Sequence, residues 1–447
     1  MSNNSMSNEV ESYPSPRTAW TLVVLLTVAY IFSFVDRQII NLMIDPIKSD
    51  LSLSDTQISL LIGFAFSLFY IIMGVPLGRA ADKYNRRNII VIGMSFWCLM
   101  TIACGMARNF TQLFMARLGV GVGEAALSPA ALSMITDSFP KEKRIKPIGF
   151  YNSAIYLGSG LAMLAGGAII QMIDGMPPVV LPIIGAMAPW QLVFVIVGIP
   201  GIFVAMAIAL VQEPVRKEMM KVQASEAAAE LSFKDVLTFL LKDKLVYGCI
   251  FGAMAMLSVI TYMYLAWIPS YFVRAHEWPI TEISYAYGLV QISCGPLGIF
   301  VGARIGSALV QNGDPGGQVK AGFIGMCVLA LSATIVPLIP NPKLAVLALG
   351  LVPFSLAFVT VNIVSALLQV TPNQMRGQTY ALFLMTMSVF GLALGPTAVA
   401  LITDFVFGNE AMVGYSLSLI ASLSGFIGVV AIKFAIQAFR NKLAETT

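Results

Sequence analysis

Twelve apolar stretches divide the chain, at about 18–44, 56–77, 88–107, 110–136, 146–172, 190–211, 245–272, 281–309, 319–339, 343–370, 377–405 and 411–437, with charge clusters, prolines and turn residues between them. Each is close to or longer than the ~20 apolar residues a helix needs to cross a bilayer. The pattern predicts an all-α membrane protein with twelve transmembrane helices. An even number of crossings leaves both ends on one side, and the basic residues say which. Of the 27 Lys and Arg, only Lys48, Arg108, Arg274 and Lys343 lie in connections opposite the termini. Only Arg37 and Arg117 lie deep within crossings, and the remainder sit in the N-terminal tail, in the even-to-odd connections or near the C-terminus. Lys and Arg collect on the cytoplasmic side, so both termini are expected there, in the cell (inner) membrane. Residues 1–17 contain neither a signal h-region nor a cleavage site, so they are expected to form a disordered tail ahead of a retained first helix.

The longest polar insertion divides the chain into bundles at 18–212 and 245–437, with a linker at 213–244 and a second tail at 438–447. Within the linker, Phe233, Val236, Leu237, Leu240 and Leu241 share one helical face, which predicts a short surface helix capped by Ser232. The halves also read as copies. The fourth and tenth stretches both run into a proline, Pro140 and Pro372, and the next stretches open on Arg144 with Gly149 and on Arg376 with Gly377. Two pseudo-repeated six-helix bundles are a transporter architecture, with substrate bound between the halves.

Composition narrows the class. The chain is 57% hydrophobic and 11% charged, with a mean hydropathy of +0.82, against roughly 25% charged in soluble domains. The five cysteines lie in apolar runs, where they act as small packing residues. The lone His276 rules out a two-histidine zinc motif, and neither a Gly-x-Ser-x-Gly elbow nor a Gly-Lys-Ser/Thr phosphate loop occurs. No enzyme, metal, cofactor or nucleic-acid partner is therefore expected, and a monomer is the expected form. Pro296, Pro353 and Pro396 are expected to kink their helices.

Ionisable residues inside crossings are costly and mark pathways. Arg117 and Glu124 are seven residues apart on the fourth stretch, so they share a helix face and lie about 10 Å apart along the axis. The glycines between them, Gly119, Gly121 and Gly123, let a neighbouring helix come close, and Asp36-Arg37 on the first stretch is the charged candidate. Adjacent helical residues point ~100° apart. Asp36 is therefore assigned to the contact with the fourth helix and Arg37 to the cavity. Arg117 is left either to bridge the acids or to meet an anionic head group. Desolvation favours a neutral acid and a nearby arginine favours an ionised one, so Asp36 and Glu124 can exchange protons as Arg37 and Arg117 approach or withdraw. At the offset that superposes Pro140 on Pro372, Arg117 meets Leu349 and Glu124 meets Leu356. The second half instead offers aromatic residues and methionines, so the cavity is expected to have one charged wall and one apolar wall, suited to an amphiphile. Its expected lining is Arg37, Asn152, Tyr156, Tyr264, Trp267, Phe358, Asn362 and Met385.

Between the second and third stretches the chain reads Gly78-Arg-Ala-Ala-Asp82-Lys83-Tyr-Asn85-Arg86-Arg87. This resembles the loop signature of the major facilitator superfamily, Gly-x-x-x-Asp-Arg/Lys-x-Gly-x-basic-basic. The resemblance implies a gate at the cytoplasmic face: Gly78 admits the eleventh helix, Asp82 pairs with Arg376, and Asp137 holds Arg86 or Arg87, with Lys83 in the same loop. These ties are expected to form when the protein faces outward and to break when it faces inward. Asn85 replaces the signature glycine, and Asn tolerates a left-handed turn. Asp36-Arg37, Phe96-Trp97, Gly119-Val-Gly-Val-Gly-Glu124 and Tyr156-Leu-Gly-Ser-Gly160 resemble the spinster branch of that superfamily. That resemblance implies proton-coupled, alternating-access transport of a lysophospholipid or sphingoid lipid. Asp-Arg on the first stretch and Arg with Glu on the fourth are also similar to the organic-anion (sugar acid) symporters of the sialin and galactonate type.

Overall fold

The computed structural model describes residues 13–173, 175, 179–181, 185–217, 233–372 and 374–446. Among them, twelve helices are long and apolar enough to cross a membrane: spans 1 to 12, in chain order Pro16–Leu42, Asp55–Lys83, Arg86–Met106, Phe110–Ser138, Lys146–Ile173, Pro189–Ala209, Lys244–His276, Ile280–Gln311, Gly317–Leu338, Pro342–Val370, Arg376–Phe407 and Glu410–Ala444. The chain is a multi-pass integral membrane protein. The face that holds both ends is called terminal here, and the opposite face distal.

Local chemistry sets the helix boundaries. Ser15 accepts the Thr18 N–H and Pro16 occupies the first turn of span 1. Ser54 and Gln57 form a reciprocal capping box at the start of span 2. Asn85 departs from expectation. Its φ is −63°, so no left-handed turn forms, and its side-chain oxygen caps span 3 by accepting the Asn88 N–H at 2.8 Å. Glycine could not make that bond.

Prolines set the breaks. Span 4 passes from Phe110–Glu124 to Leu127–Ser138 at Ala125, the residue whose carbonyl the Pro129 ring crowds from four positions on. Span 10 changes helix at Gly350, beside the equivalent carbonyl ahead of Pro353. Pro396 follows a π turn, Val389–Leu394, in span 11. Pro296 lies within one uninterrupted helix, Ile280–Gln311.

Spans 1 with 5, 2 with 4 and 3 with 6 pack in the first bundle. Spans 7 with 11, 8 with 10 and 9 with 12 repeat that pattern in the second. Between spans 5 and 6, Val179–Leu181 pairs antiparallel with Gly185–Met187. The short helix Phe233–Lys242 lies in the linker and packs on spans 7 and 11. Val236 and Leu240 are buried there, while Leu237 and Leu241 stay exposed. Ser232, the expected cap, lies outside the described residues, as do most of the N-terminal tail and residues 218–231.

The bundles meet at the distal end and separate toward the terminal end. In the distal half, a Cβ on Gly63 of span 2 would run into the Leu392 carbonyl oxygen of span 11. A Cβ on Gly167 of span 5 would similarly come within 2.9 Å of the Ser284 Cβ of span 8. Towards the terminal face, Gly74 and Gly78 of span 2, Gly149 of span 5 and Gly377 of span 11 have nothing within 4 Å of a built Cβ. The protein is therefore open to the terminal face and shut at the distal face. Gly63→Leu, which puts a side chain where no atom fits, is expected to hold spans 2 and 11 apart. Cysteines placed on the distal loops should then label faster with a membrane-impermeant maleimide.

Candidate functional site

The charges of spans 1 and 4 converge as one buried group. The Glu124 carboxylate accepts bonds from the Ser33 hydroxyl and from Arg37 Nη2, both at 2.6 Å and both on the same oxygen. Three rings surround the Arg37 guanidinium: Phe66 at 4.5 Å, Phe34 at 5.1 Å and Tyr70 at 5.3 Å. Aromatic faces attract a cation, more strongly once it is desolvated. The break at Ala125 ends the helix one residue beyond Glu124, beneath this cage. Arg37 also lines a narrow pocket with Gln38, Asn41, Ile62, Tyr262, Leu265, Leu392 and Pro396, at the seam between the bundles.

The other two charges lie deeper in the first bundle. Arg117 is fully buried and donates to two backbone carbonyls, Leu61 at 3.4 Å and Asp36 at 3.3 Å. It makes no ion pair with either acid in this conformation and does not line the pocket. Asp36 is 1% exposed. The Trp97 indole N–H and the Thr101 hydroxyl of span 3 face its carboxylate, outside hydrogen-bonding geometry. The carboxylate therefore turns toward span 3 rather than span 4. Only its backbone carbonyl reaches Arg117, because the ~100° step of the helix carries Arg37 toward span 4 in its place.

A second ionic cluster, not anticipated from the sequence, closes the distal face. Arg274 at the end of span 7 forks onto Asp55 of the first bundle, at 2.7 and 2.9 Å, and reaches Asp45 at 2.7 Å. Lys48 bridges Asp55 and Glu410, each at 2.6 Å. Asp404 of span 11 accepts the Thr56 N–H and hydroxyl at 2.7 and 2.6 Å. Every one of these contacts except Lys48–Asp55 joins one bundle to the other. Beneath them Arg274 sits 5.6 Å from the Trp267 ring. His276, two residues on, is half-buried with Nε2 2.9 Å from the Tyr271 hydroxyl.

The terminal-face residues are separated, as the opening there requires. Asp82, Lys83 and Arg376 are exposed, and Arg376 Nε donates to the Thr371 carbonyl at 3.0 Å. Among the described residues no ion pair joins Asp82 to Arg376. Arg86 is buried against Asp137 and also bonds Glu213 at 2.9 Å, while Arg87 turns to the Val211 carbonyl at 3.3 Å. The Arg86–Asp137 tie was expected to break in a form open to this face. It is intact here, and both partners belong to the first bundle.

Of the residues expected to line the cavity, the structure spreads several elsewhere. Tyr264 is buried with its hydroxyl on the Ala333 carbonyl of span 9 at 2.5 Å. Trp267 is buried with Nε1 on the Pro396 carbonyl at 2.9 Å. Asn362 donates to the carbonyls of Gly302 and Phe358, and Phe358 packs on Gly302 and Gly325. These four pin spans within the second bundle. Tyr156 lies against Gly295 across the seam, Asn152 is exposed, and Met385 is half-exposed.

Two repeated helical bundles are pinned together at one face and parted at the other, around a buried charge pair. The family model of the Major Facilitator Superfamily matches residues 26–396, and the chain belongs to that family of transporters. It is similar to an MFS-type efflux pump of Mycolicibacterium smegmatis, 26% identical over 96% of this chain and 95% of that one. It is also similar to a probable L-galactonate transporter of Escherichia coli, 28% identical over 76% and 74%. Its fold matches a crystal structure of a bacterial homolog of the human lysosomal transporter spinster, in an inward-facing and unoccupied conformation. That match has a TM-score of 0.80 and 23% identity, and covers 97% of this chain and 99% of that one.

Proposed function

We propose that the protein is a proton-coupled secondary transporter that carries an amphiphilic lipid, such as a lysophospholipid or sphingoid lipid, across the inner membrane. In this reading both termini are cytoplasmic, the described conformation faces inward, and the monomer is the working unit. The observation that carries it is the Arg37–Glu124 pair in its aromatic cage, set at the seam between the bundles. Protonation of Glu124 frees Arg37 to hold an anionic head group, and its fork suits phosphate or carboxylate. Loss of that proton draws Arg37 back onto Glu124 and releases the substrate. The tail has apolar surface to lie on, since Tyr380, Leu384, Met385, Val389, Phe390 and Leu394 of span 11 are all more than a third exposed and recur at four- to five-residue steps.

A second reading, a sugar-acid symporter, draws support from the galactonate relative and from Gln38 and Asn41 beside Arg37. Flux into liposomes under an imposed pH gradient separates the two. Labelled lysophospholipid should move with the gradient in the native protein, and the gradient should have no effect with Asp36→Asn. Gradient-driven movement of galactonate alone would move the assignment to the second reading. Lysophospholipid flux indifferent to pH would remove proton coupling.

A further inference from the structure

At the seam between the bundles, two buried polar atoms have no hydrogen-bond partner among the described residues: Arg37 Nε and the side-chain oxygen of Asn41. Arg37 is 8% exposed and Asn41 3%, and both line the narrow pocket that span 1 forms with spans 2, 7 and 11. Local structure puts them there. Span 1 tightens into a 3₁₀ turn over Ile39–Leu42, a winding that brings residues three apart into line. Asn41 Nδ2 accordingly donates to Gln38 Oε1 at 2.5 Å. Its second hydrogen crosses the seam to the Leu265 carbonyl of span 7 at 3.1 Å. That carbonyl is free because the residue four positions on, Pro269, has no N–H to give it. A carbonyl partner fixes which end of the Asn41 amide is nitrogen and leaves its oxygen over. Arg37 spends Nη2 on Glu124, which leaves Nε over as well.

The free volume of the pocket is about 10 Å³, close to what a single water-sized group needs, and Ile62, Leu265, Leu392 and Pro396 supply apolar walls. It offers one donor and one acceptor to one small group. A hydroxyl answers both, whereas a carboxylate only accepts and an ammonium only donates. We propose that this pocket receives a hydroxyl of the transported molecule, so that the substrate is a hydroxy anion, with its acidic group on the Nη side of Arg37 and its hydroxyl between Arg37 Nε and Asn41 Oδ1. The inference rests on Arg37 holding the anion, as proposed above, and not on whether that anion is a lipid or a sugar acid. An alcohol a few bonds from the acid is what lysophospholipids and sugar acids have in common, and a diacyl phospholipid esterified to choline has none. A substrate without the hydroxyl leaves a buried acceptor unmet and is penalised for it.

The test is flux into liposomes holding the full-length protein, with two matched pairs of probes. Lysophosphatidic acid is set against its analogue built on propanediol, which lacks only the hydroxyl, and galactonate against the analogue deoxygenated beside its carboxylate. The native protein should move the hydroxylated member of its pair with about tenfold higher kcat/KM. Asn41→Leu, which keeps the bulk and removes the acceptor, should bring that ratio close to one. The ratio is taken within each protein, so the lost tie to Leu265 slows both probes alike and does not move it. Equal rates for the two members of the transported pair in the native protein would overturn the hydroxyl site and leave the transport reading standing, and that arm decides if Asn41→Leu does not fold. A tenfold ratio retained by Asn41→Leu would overturn the part given to Asn41. Movement of the galactonate pair alone would correct the choice of substrate, with the hydroxyl site judged on that pair. Failure of the native protein to move either pair removes the site together with the reading it rests on.

Discussion

Glu124→Gln reduces pH-driven accumulation of substrate in liposomes to the level of empty vesicles, while exchange of substrate across a membrane without a gradient persists. The carboxylate is the only charged partner of Arg37 in the described structure, and both side chains are buried. Glutamine keeps the shape and an acceptor for Ser33 but neither the charge nor the proton. Arg37 is then held constantly available to an anion, so binding survives and its link to the gradient does not. Breaking a buried pair from one side costs about 3–5 kcal/mol. The variant should therefore also unfold at lower temperature, by less than Glu124→Ala, which removes the acceptor too. Gradient-driven uptake at the native rate by Glu124→Gln would dismiss this pair as the proton carrier.

Arg274→Ala has the second large effect, on which face is open. Arg274 is 8% exposed at its side chain, and it forks onto Asp55, which is wholly buried. Truncation leaves Asp55 with Lys48 from its own bundle and removes a two-pronged ionic contact across the seam. The cost falls only on the distal-closed form, because in the distal-open form water replaces the arginine. At the lower end of the range for one-sided loss of a buried pair, ~3 kcal/mol, the balance moves about a hundredfold toward the distal-open state. Spin labels at Asp50 and Asn409 should report a longer distal distance, and labels at Asp82 and Gly377 a shorter terminal one. An unchanged distance distribution would mean that Thr56–Asp404 and the glycine contacts suffice to hold the distal face shut.

What could be read from the chain, and what could not, divides along the range of the interaction. Twelve spans were visible because each is a local run of apolar residues, and Asp36, Arg37, Arg117 and Glu124 stood out because charge is rare in such runs. The spacing of Arg117 and Glu124 gave their common helix, and the two bundles followed from the polar insertion. Helix phase was much harder to read. Spans 7 and 10 are apolar almost all round, so nothing local says that Tyr264, Phe358 and Asn362 turn into their own bundle. The helix step separated Asp36 from Arg37, but only packing decided that Arg37 would take Glu124 and that Arg117 would settle on carbonyls. The distal cluster was hidden more thoroughly. Its parts lie at 45–56, 274 and 404–410, and the only hint was that Lys48 and Arg274 are among the few cations on a side otherwise poor in them.

The π turns Leu60–Phe64 and Val389–Leu394 meet at the point where Gly63 lies on the Leu392 carbonyl. A π turn is a helix carrying one surplus residue in a single loop of backbone, and Pro396 supplies no N–H to engage that carbonyl. The surplus gives both rods slack at their crossing, so each can bend there without unwinding its ends. Shortening either segment by one amino acid would restore regular winding on both sides of the crossing. Such a deletion should yield a stiffer molecule that still folds and still inserts but changes faces slowly.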